Sequence, residues 1–599
     1  MPAQIAIGVD SFRDLRVSQS ELVDKTRFIE TLCKDRFSVL LLPRPRRFGK
    51  TFNMNMLREF FAIPQPEESG RMPFPPAEQL FEGLYIKSVW EEVKPHFQRY
   101  PTIFLTFKSM TFLTIDEWWD ALRAKIVDAA RQLRPLFGAL NPLEEQELES
   151  LLSREAPPDL LKRSLLLFTR WLERGTGEKA LVLIDEYDAP IQQAWLDQEY
   201  PGARVLDGSD DGQNPAGDYT KDRRYPVYRE VVNFFRTFFG AALKGNPHLY
   251  KGVLTGILRV SKESIFSELN NLDVCTVLQK RYSDCFGFTE QEVSALFERQ
   301  EQTARLPLAR QWYNGYRFGP HIIYNPWSVM CFLKEPDSRP GPFWLNTSSN
   351  SLIKELLGEA SHAFFDDFNA LLRGEKVVTL LEENLALPEL RQTEGALYSL
   401  LLFAGYLKAE PADILPSGQA LHALSIPNLE VSHIFRTTFQ LHLEKSLGGR
   451  GEQVRLLTEA ILLGDEGLFQ EELAHLANRM LSIMDGDRRQ PEALYQGLML
   501  GLCAYLEPEF KVRSNREAGT GRADLQIFPR QPGRAGAVLE LKAARPGEKS
   551  LEQLLREGER QLKKKLYARE LEASGAKPLQ RWVAAFDGKV VKVKKLKPM

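Results

Sequence analysis

Two short stretches of this chain carry an ammonium, a hydroxyl and two carboxylates at the spacing that phosphate chemistry needs. Residues 44–51 read RPRRFGKT, directly after the apolar run FSVLLLP (37–43) and ahead of a helical pattern. From Gly49 onward they match the phosphate-loop pattern G-x-x-x-x-G-K-[ST]. Gly49 lets the backbone approach a phosphate, Lys50 places an ammonium at the β- and γ-phosphates, and the Thr51 hydroxyl can ligate Mg2+. The free N–H groups and positive dipole end of the following helix face the same anion. Arg44 stands where the pattern has its first glycine, and Arg46 and Arg47 add positive charge beside the phosphates. The second stretch is LVLIDEYDAP (181–190). Its apolar strand residues end in Asp185, the expected outer-sphere partner of Mg2+, and Glu186 follows as the base for an attacking water. A bare GKT would leave a basic surface turn as the better reading; the pair, each at the end of a buried-type strand, favours a nucleotide site. A third run, GVLTGI (252–257), places Thr255 where it can sense a γ-phosphate from a strand between the other two. Arg259 lies where it can reach a phosphate in cis or in trans. A plain strand end and a surface arginine explain these last two residues equally well.

Asp524, Glu540 and Lys542 form a second constellation. Glu540 and Lys542 are two apart in the strand-like AVLELKA (537–543), so a period of two puts both on one face. Asp524 opens RADLQIF (522–528), which pairs with that strand through the turn PRQPGRAG. Two carboxylates and a lysine so placed can hold Mg2+ and activate water for phosphodiester cleavage. An ordinary charged hairpin is the competing reading, and D…ExK alone does not beat it. A Glu and a Lys inside an otherwise apolar strand cost several kcal/mol unless paired or ligating, which tips the balance. Glu492 is a further candidate acid, and Arg516 and Arg522 a phosphate-contacting approach. Lys563, Lys564 and Lys565 with the basic tail KVVKVKKLK (589–597) give local patches compatible with a nucleic-acid backbone.

The elements that must position these groups follow from the pattern. Nearly continuous apolar runs at 37–43, 101–107, 180–186 and 252–257 alternate with amphipathic helices, which predicts an α/β domain with a parallel sheet. A Gly/Asp-rich segment (202–224) reads as a mobile surface loop. We expect three regions: a nucleotide-binding domain over 1–284, a helical lid or winged-helix-like module over 285–445, and a C-terminal α/β domain over 446–599. The chain of 599 residues has a formal net charge of −2, so any nucleic-acid contact must be local. Its five cysteines show no paired spacing, and no apolar run approaches a membrane span. These features predict a soluble cytoplasmic protein without a membrane partner.

Longer stretches point to a family. LVDKTRFIETL (22–32), RPRRFGKTFNMNML (44–57), VLIDEYDAPI (182–191), LTGILRVSKESIFSELNNL (254–272), WYNGYRFG (312–319), YNPWSV (324–329) and IPNLEV (426–431) resemble the bacterial AAA-ATPase-like family. SNREAGTGRADLQIFP (514–529) and LELKA (539–543) are similar to the PD-(D/E)XK nuclease-superfamily domain that commonly follows it. The resemblance implies an ATP- and Mg2+-dependent ATPase fused to a restriction-endonuclease-like nuclease fold acting on DNA or RNA, with a homo-oligomer required if an arginine acts in trans. It also implies that Arg44 is the family's own phosphate-loop variant and that Gln561 supports the second metal site. Ala523 stands where the superfamily's proline is written.

Overall fold

The computed structural model describes residues 2–66, 70–197, 226–259, 265–266, 269–344, 362–372, 374–384, 387, 390, 393–435, 451–483, 495, 499, 503, 506, 510–514, 524–543, 548–564, 571, 573–587 and 590–597. The segment 202–224, together with Glu492, Arg516, Arg522 and Lys565, lies outside them.

The four apolar runs become β1 (Val39–Pro43), β2 (Thr102–Thr106), β3 (Ala180–Asp185) and β4 (Leu249–Gly256), and a short fifth strand that the runs did not announce, β5 (Leu272–Val274), completes a parallel sheet in the order β2-β3-β4-β1-β5. All residues of β1 and β3 are buried, as strands covered on both faces must be. β4 separates β1 from β3, with Leu42 opposite Thr255 and Ile184 opposite Leu254. All three therefore deliver their C-terminal residues to one edge, where an open α/β sheet places its chemistry. The helix Lys50–Phe61 leaves β1 with Gly49 as its N-cap at φ +80°, a left-handed conformation that glycine adopts without a Cβ clash. Helix Ile115–Leu133 starts at Thr114, whose hydroxyl accepts from the Glu117 amide, and its Trp118 packs on Phe234 and Phe235 of helix Pro226–Leu243.

The region after 285 is not purely helical. Between helices Glu290–Arg299, Leu306–Tyr313 and Pro326–Lys334 it builds a small antiparallel sheet from β6 (Phe288–Thr289), β7 (Tyr316–Phe318) and β8 (His321–Tyr324), in the order β6-β8-β7. Strands of two to four residues are too short for a period of two to show in sequence. Val293, Phe297, Tyr313, Tyr324 and Phe332 form their shared core. The first compact unit comprises Met1–Leu352 with Thr379–His422 and Pro427–Glu430, so the position 284/285 falls inside it.

The second unit comprises Ile353–Val378, Ala423–Ile426 and Val431–Met599. Its mixed sheet runs in chain order: β9 (Phe510–Ser514), β10 (Leu525–Pro529), β11 (Gly536–Ala543), β12 (Leu579–Asp587) and β13 (Val590–Lys595). Neighbours are antiparallel except β11 and β12, which are parallel and joined through the helix Leu551–Lys564. Leu554, Leu555 and Leu562 of that helix pack on Val538, Val583 and Ala585. Helix Gly451–Leu463 accepts the Trp582 indole N–H at Ile461 O, 3.0 Å away. The stretch read as a basic tail is strand β13, paired along its length with β12. Its alternation of lysine and valine is the period of a sheet edge, which the lysine count obscured. No helix of the described residues is long and apolar enough to cross a membrane.

Candidate functional site

The three strand ends meet at Asp185. Its buried carboxylate accepts from the Thr51 hydroxyl at 2.8 Å and from the Thr255 hydroxyl at 2.7 Å. Thr51, Asp185 and Thr255 are therefore brought together as the sequence predicts. The Lys50 ammonium is buried beside them and donates to Arg44 O (3.1 Å) and Pro45 O (3.0 Å) of its own loop. Burial lowers the affinity of Lys50 for its proton, opposed by the charges of Glu186, Asp185 and Asp188; burial likewise raises the Asp185 pKa. Glu186 is half-buried at φ +52°, a left-handed conformation that a non-glycine residue holds at a cost of roughly 1–3 kcal/mol and that concentrates at working sites.

Asp188 and Tyr187, which the sequence reading passed over, fix β4 against β3. The Asp188 carboxylate accepts from the Ile257 and Leu258 amides, both at 2.9 Å, and from the Gln192 side chain. The Tyr187 hydroxyl donates to Leu258 O at 2.6 Å. A Cβ on Gly256 would lie 2.5 Å from Asp188 Oδ1 and 2.7 Å from the Tyr187 ring, so this close approach admits only glycine. The turn that presents Thr255 is thus set by the two residues after Glu186. Arg259 follows it with its Nε buried and unpartnered among the described residues.

Arg44 and Arg47 are both held by neighbouring groups. Arg44 is fully buried; its guanidinium donates to Pro43 O (2.7 Å), Cys275 O (2.6 Å) and Tyr282 O (2.9 Å) and lies near the Phe286 and Phe318 rings. Arg47, at φ +67°, lays its guanidinium 4.2 Å from the centroid of Trp327. Phe48, the next residue, is held edge-on by Tyr316 (4.9 Å) and tilted against Phe318 (5.3 Å), and its carbonyl accepts from the Gly287 amide.

Beside the phosphate loop opens a largely apolar pocket. Ile7 and Val23 of the N-terminal segment, Phe48 and Phe52, Phe288 and Trp327 line it. The VDKT motif holds this wall in place. The Lys25 ammonium is buried between Asp284 O (2.8 Å) and Glu292 (2.7 Å), while Asp24 accepts from the Thr26 hydroxyl and the Tyr85 amide.

In the second unit, Asp524, Glu540 and Lys542 are buried and adjacent. The register pairs Leu525 with Leu539, the Asp524 carboxylate accepts from the Leu541 amide at 2.7 Å, and Lys542 Nζ lies 3.3 Å from Glu540 Oε1. The shared face expected from the two-residue spacing is therefore present. The nearby lysines are committed elsewhere. Lys563 and Lys594 both pair with Glu559 (2.7 and 2.8 Å), and Lys592 pairs with Glu552. Gln561 sits half-buried on the same helix.

Residues 6–205 match the family model described as Predicted AAA-ATPase, and residues 490–596 match the PD-(D/E)XK nuclease superfamily. The chain carries an AAA-ATPase-like domain followed by a PD-(D/E)XK nuclease-superfamily domain. It is also 25% identical over 532 residues to the "Uncharacterized protein in vnfD 5' region" of Azotobacter chroococcum mcd 1, covering 88% of this chain and 87% of that protein. The first match spans the phosphate loop and β3, and the second spans β9 to β13 with all three buried charged residues.

Glu430, in the IPNLEV stretch, bonds to the helix Pro326–Lys334 and carries no signal in sequence. Its carboxyl is wholly buried, accepts from the Ser328 hydroxyl and the Trp344 amide at 2.9 Å, and is pushed up to about 8 by that burial. A carboxyl whose folded pKa exceeds its unfolded value stabilises the fold fully below the unfolded pKa. That contribution is lost as pH rises from about 4.5 through about 8. Glu430→Gln is expected to match the wild type near pH 4 and to exceed its stability at pH 8 by on the order of a few kcal/mol, read as chemical-denaturation midpoints across pH.

Proposed function

We propose that the AAA-ATPase-like domain binds and hydrolyses ATP and that the C-terminal domain cleaves nucleic-acid phosphodiesters under its control. The observation carrying the first half is the Asp185 carboxylate, which gathers the hydroxyls of Thr51 and Thr255 at the edge where the Lys50 helix begins. Hydroxyl and carboxylate oxygens are the donors that Mg2+ takes, so Thr51 and Asp185 fit that ion, which would neutralise charge on the β- and γ-phosphates. Gly49 and the first turn of the helix give the phosphates backbone N–H groups, and Lys50 exchanges the loop carbonyls for phosphate oxygens. Glu186 orients and deprotonates the attacking water, and Thr255 reads the γ-phosphate. The apolar pocket takes the base.

In the C-terminal domain the donor set of Asp524 and Glu540 likewise fits Mg2+, which would activate a water for attack on phosphorus. Lys542 supplies positive charge for that nucleophile and for the phosphorane. In this reading Asp524→Ala and Lys542→Ala each abolish Mg2+-dependent cleavage of DNA or RNA while leaving ATP uptake intact, as read on gels in parallel with a nucleotide titration. A wild type that cuts neither, with or without ATP, sinks it.

Two observations favour a second reading, a nucleotide-switched scaffold whose C-terminal domain binds nucleic acid or protein without cutting. Among the described residues no group of three or more His, Cys, Asp or Glu is placed to hold a metal, and the lysines around the helix Leu551–Lys564 are spent on its glutamates.

A further inference from the structure

Glu186 holds its left-handed backbone, φ +52°, inside a turn that is bonded on both sides. Before it, the Asp185 carbonyl accepts from the Phe107 amide at 3.0 Å, just past β2. After it, the Tyr187 amide donates to Thr255 O at 3.1 Å, and the Glu186 carbonyl accepts from the Ala189 amide at 3.1 Å. The buried Asp188 side chain then closes the turn onto the exit of β4. One oxygen, Oδ2, accepts from the Ile257 amide, the Leu258 amide and Gln192 Nε2, and the Tyr187 hydroxyl donates to Leu258 O. The same exit reaches the phosphate loop, where the Arg44 amide donates to Gly256 O at 2.9 Å. A non-glycine residue keeps a sparsely populated backbone conformation only where its surroundings over-determine it, and that backbone sets where its side chain starts from. Most of the bonds that do so here are between main-chain groups. Asp188 contributes through its side chain, in the segment that carries Glu186.

We infer that Asp188 is the positioning residue for the general base: by bonding the exit of β4 it keeps the Glu186 turn in the left-handed form that aims its carboxylate at the attacking water. This rests on the ATP reading, in which Glu186 is that base, and adds to it the group through which the base depends on β4. Because one oxygen carries all three bonds, Asp188 works as an acceptor and not as a charge. An asparagine with its oxygen in that place keeps every bond, and an alanine keeps none. A base set askew in an otherwise intact site loses turnover and not binding, since misplacement by about 1 Å is worth about 100-fold in rate.

The test follows ATP binding and phosphate release by the full chain with Mg2+. Asp188→Ala is expected to lower kcat by about 30-fold or more while ATP affinity stays within about threefold of the wild type. Asp188→Asn is expected to recover turnover to within about threefold of the wild type. Placed on Glu186→Gln, Asp188→Ala is expected to slow the residual turnover by less than about threefold, because residues acting through one group are not additive. Tyr187→Phe, which loses the bond to Leu258 O alone, is expected to slow turnover by about three- to tenfold and to add nothing on Glu186→Gln. It carries the test if Asp188→Ala does not fold. Wild-type kcat in Asp188→Ala overturns the inference, as does an Asp188→Asn protein as slow as Asp188→Ala, or losses that multiply when either variant is combined with Glu186→Gln. Each of these leaves the ATP site standing. A wild type that binds no ATP, or binds it without turnover, removes the reading of Glu186 as the base and this inference with it.

Discussion

Lys50→Ala is expected to abolish saturable ATP uptake, whereas Glu186→Gln is expected to keep it and to slow turnover by about 100-fold or more. The two residues stand on the same sheet edge but act at different stages. Lys50 follows the N-cap of its helix, its ammonium is buried among loop carbonyls, and it has the three acidic neighbours Glu186, Asp185 and Asp188 to hold its charge. Removing it leaves those acids opposite a polyphosphate without the ammonium that offsets them, so binding itself is lost. The hydroxyls of Thr51 and Thr255 are both satisfied by Asp185, not by Glu186. The glutamine variant keeps shape and hydrogen-bonding reach and gives up only basicity. Nucleotide titration and phosphate release measured side by side separate the two results. Loss of binding in Glu186→Gln, or retention in Lys50→Ala, contradicts these roles.

Arg44→Gly, which restores the glycine of the general phosphate-loop pattern, is expected to destabilise the protein by roughly 3 kcal/mol or more. The guanidinium bonds three backbone carbonyls from three segments: its own strand end, the residue after β5, and the turn at Tyr282. Deleting it strands those buried oxygens and opens a void next to Phe286 and Phe318. Burial pushes Arg44 down only to about 10, so it stays charged at neutral pH and holds these acceptors as a cation. Arg44→Lys is expected to recover little, since one ammonium cannot reproduce a planar fork aimed at separate carbonyls. Denaturation midpoints measure both; an Arg44→Gly protein as stable as the wild type would show that the arginine is dispensable to the loop.

The place of β4 between β1 and β3 and the Asp185 cluster were legible in the sequence because both rest on continuous apolar runs that end in polar residues. The C-terminal face of Glu540 and Lys542 was legible for a similar reason, since period two is a local rule. The misplaced readings share another cause. Arg47 and the lysines of β13 were read as charge facing a ligand, yet Arg47 lies over Trp327 and those lysines pair largely with glutamates. A cation's partner comes from long-range packing that a local pattern does not contain. Asp188 and Glu430 went unnoticed for that reason too. Their partners include backbone groups at Ile257 and Trp344, and any residue type supplies such groups.

The ring of Phe48, clasped by Tyr316 and Phe318, has a mechanical corollary. It sits one residue before Gly49, so whatever enters or leaves the cradle pulls on an aromatic latch rooted in β7. Loop and small sheet are thereby packed against one another through a single ring at the residue before the helix N-cap.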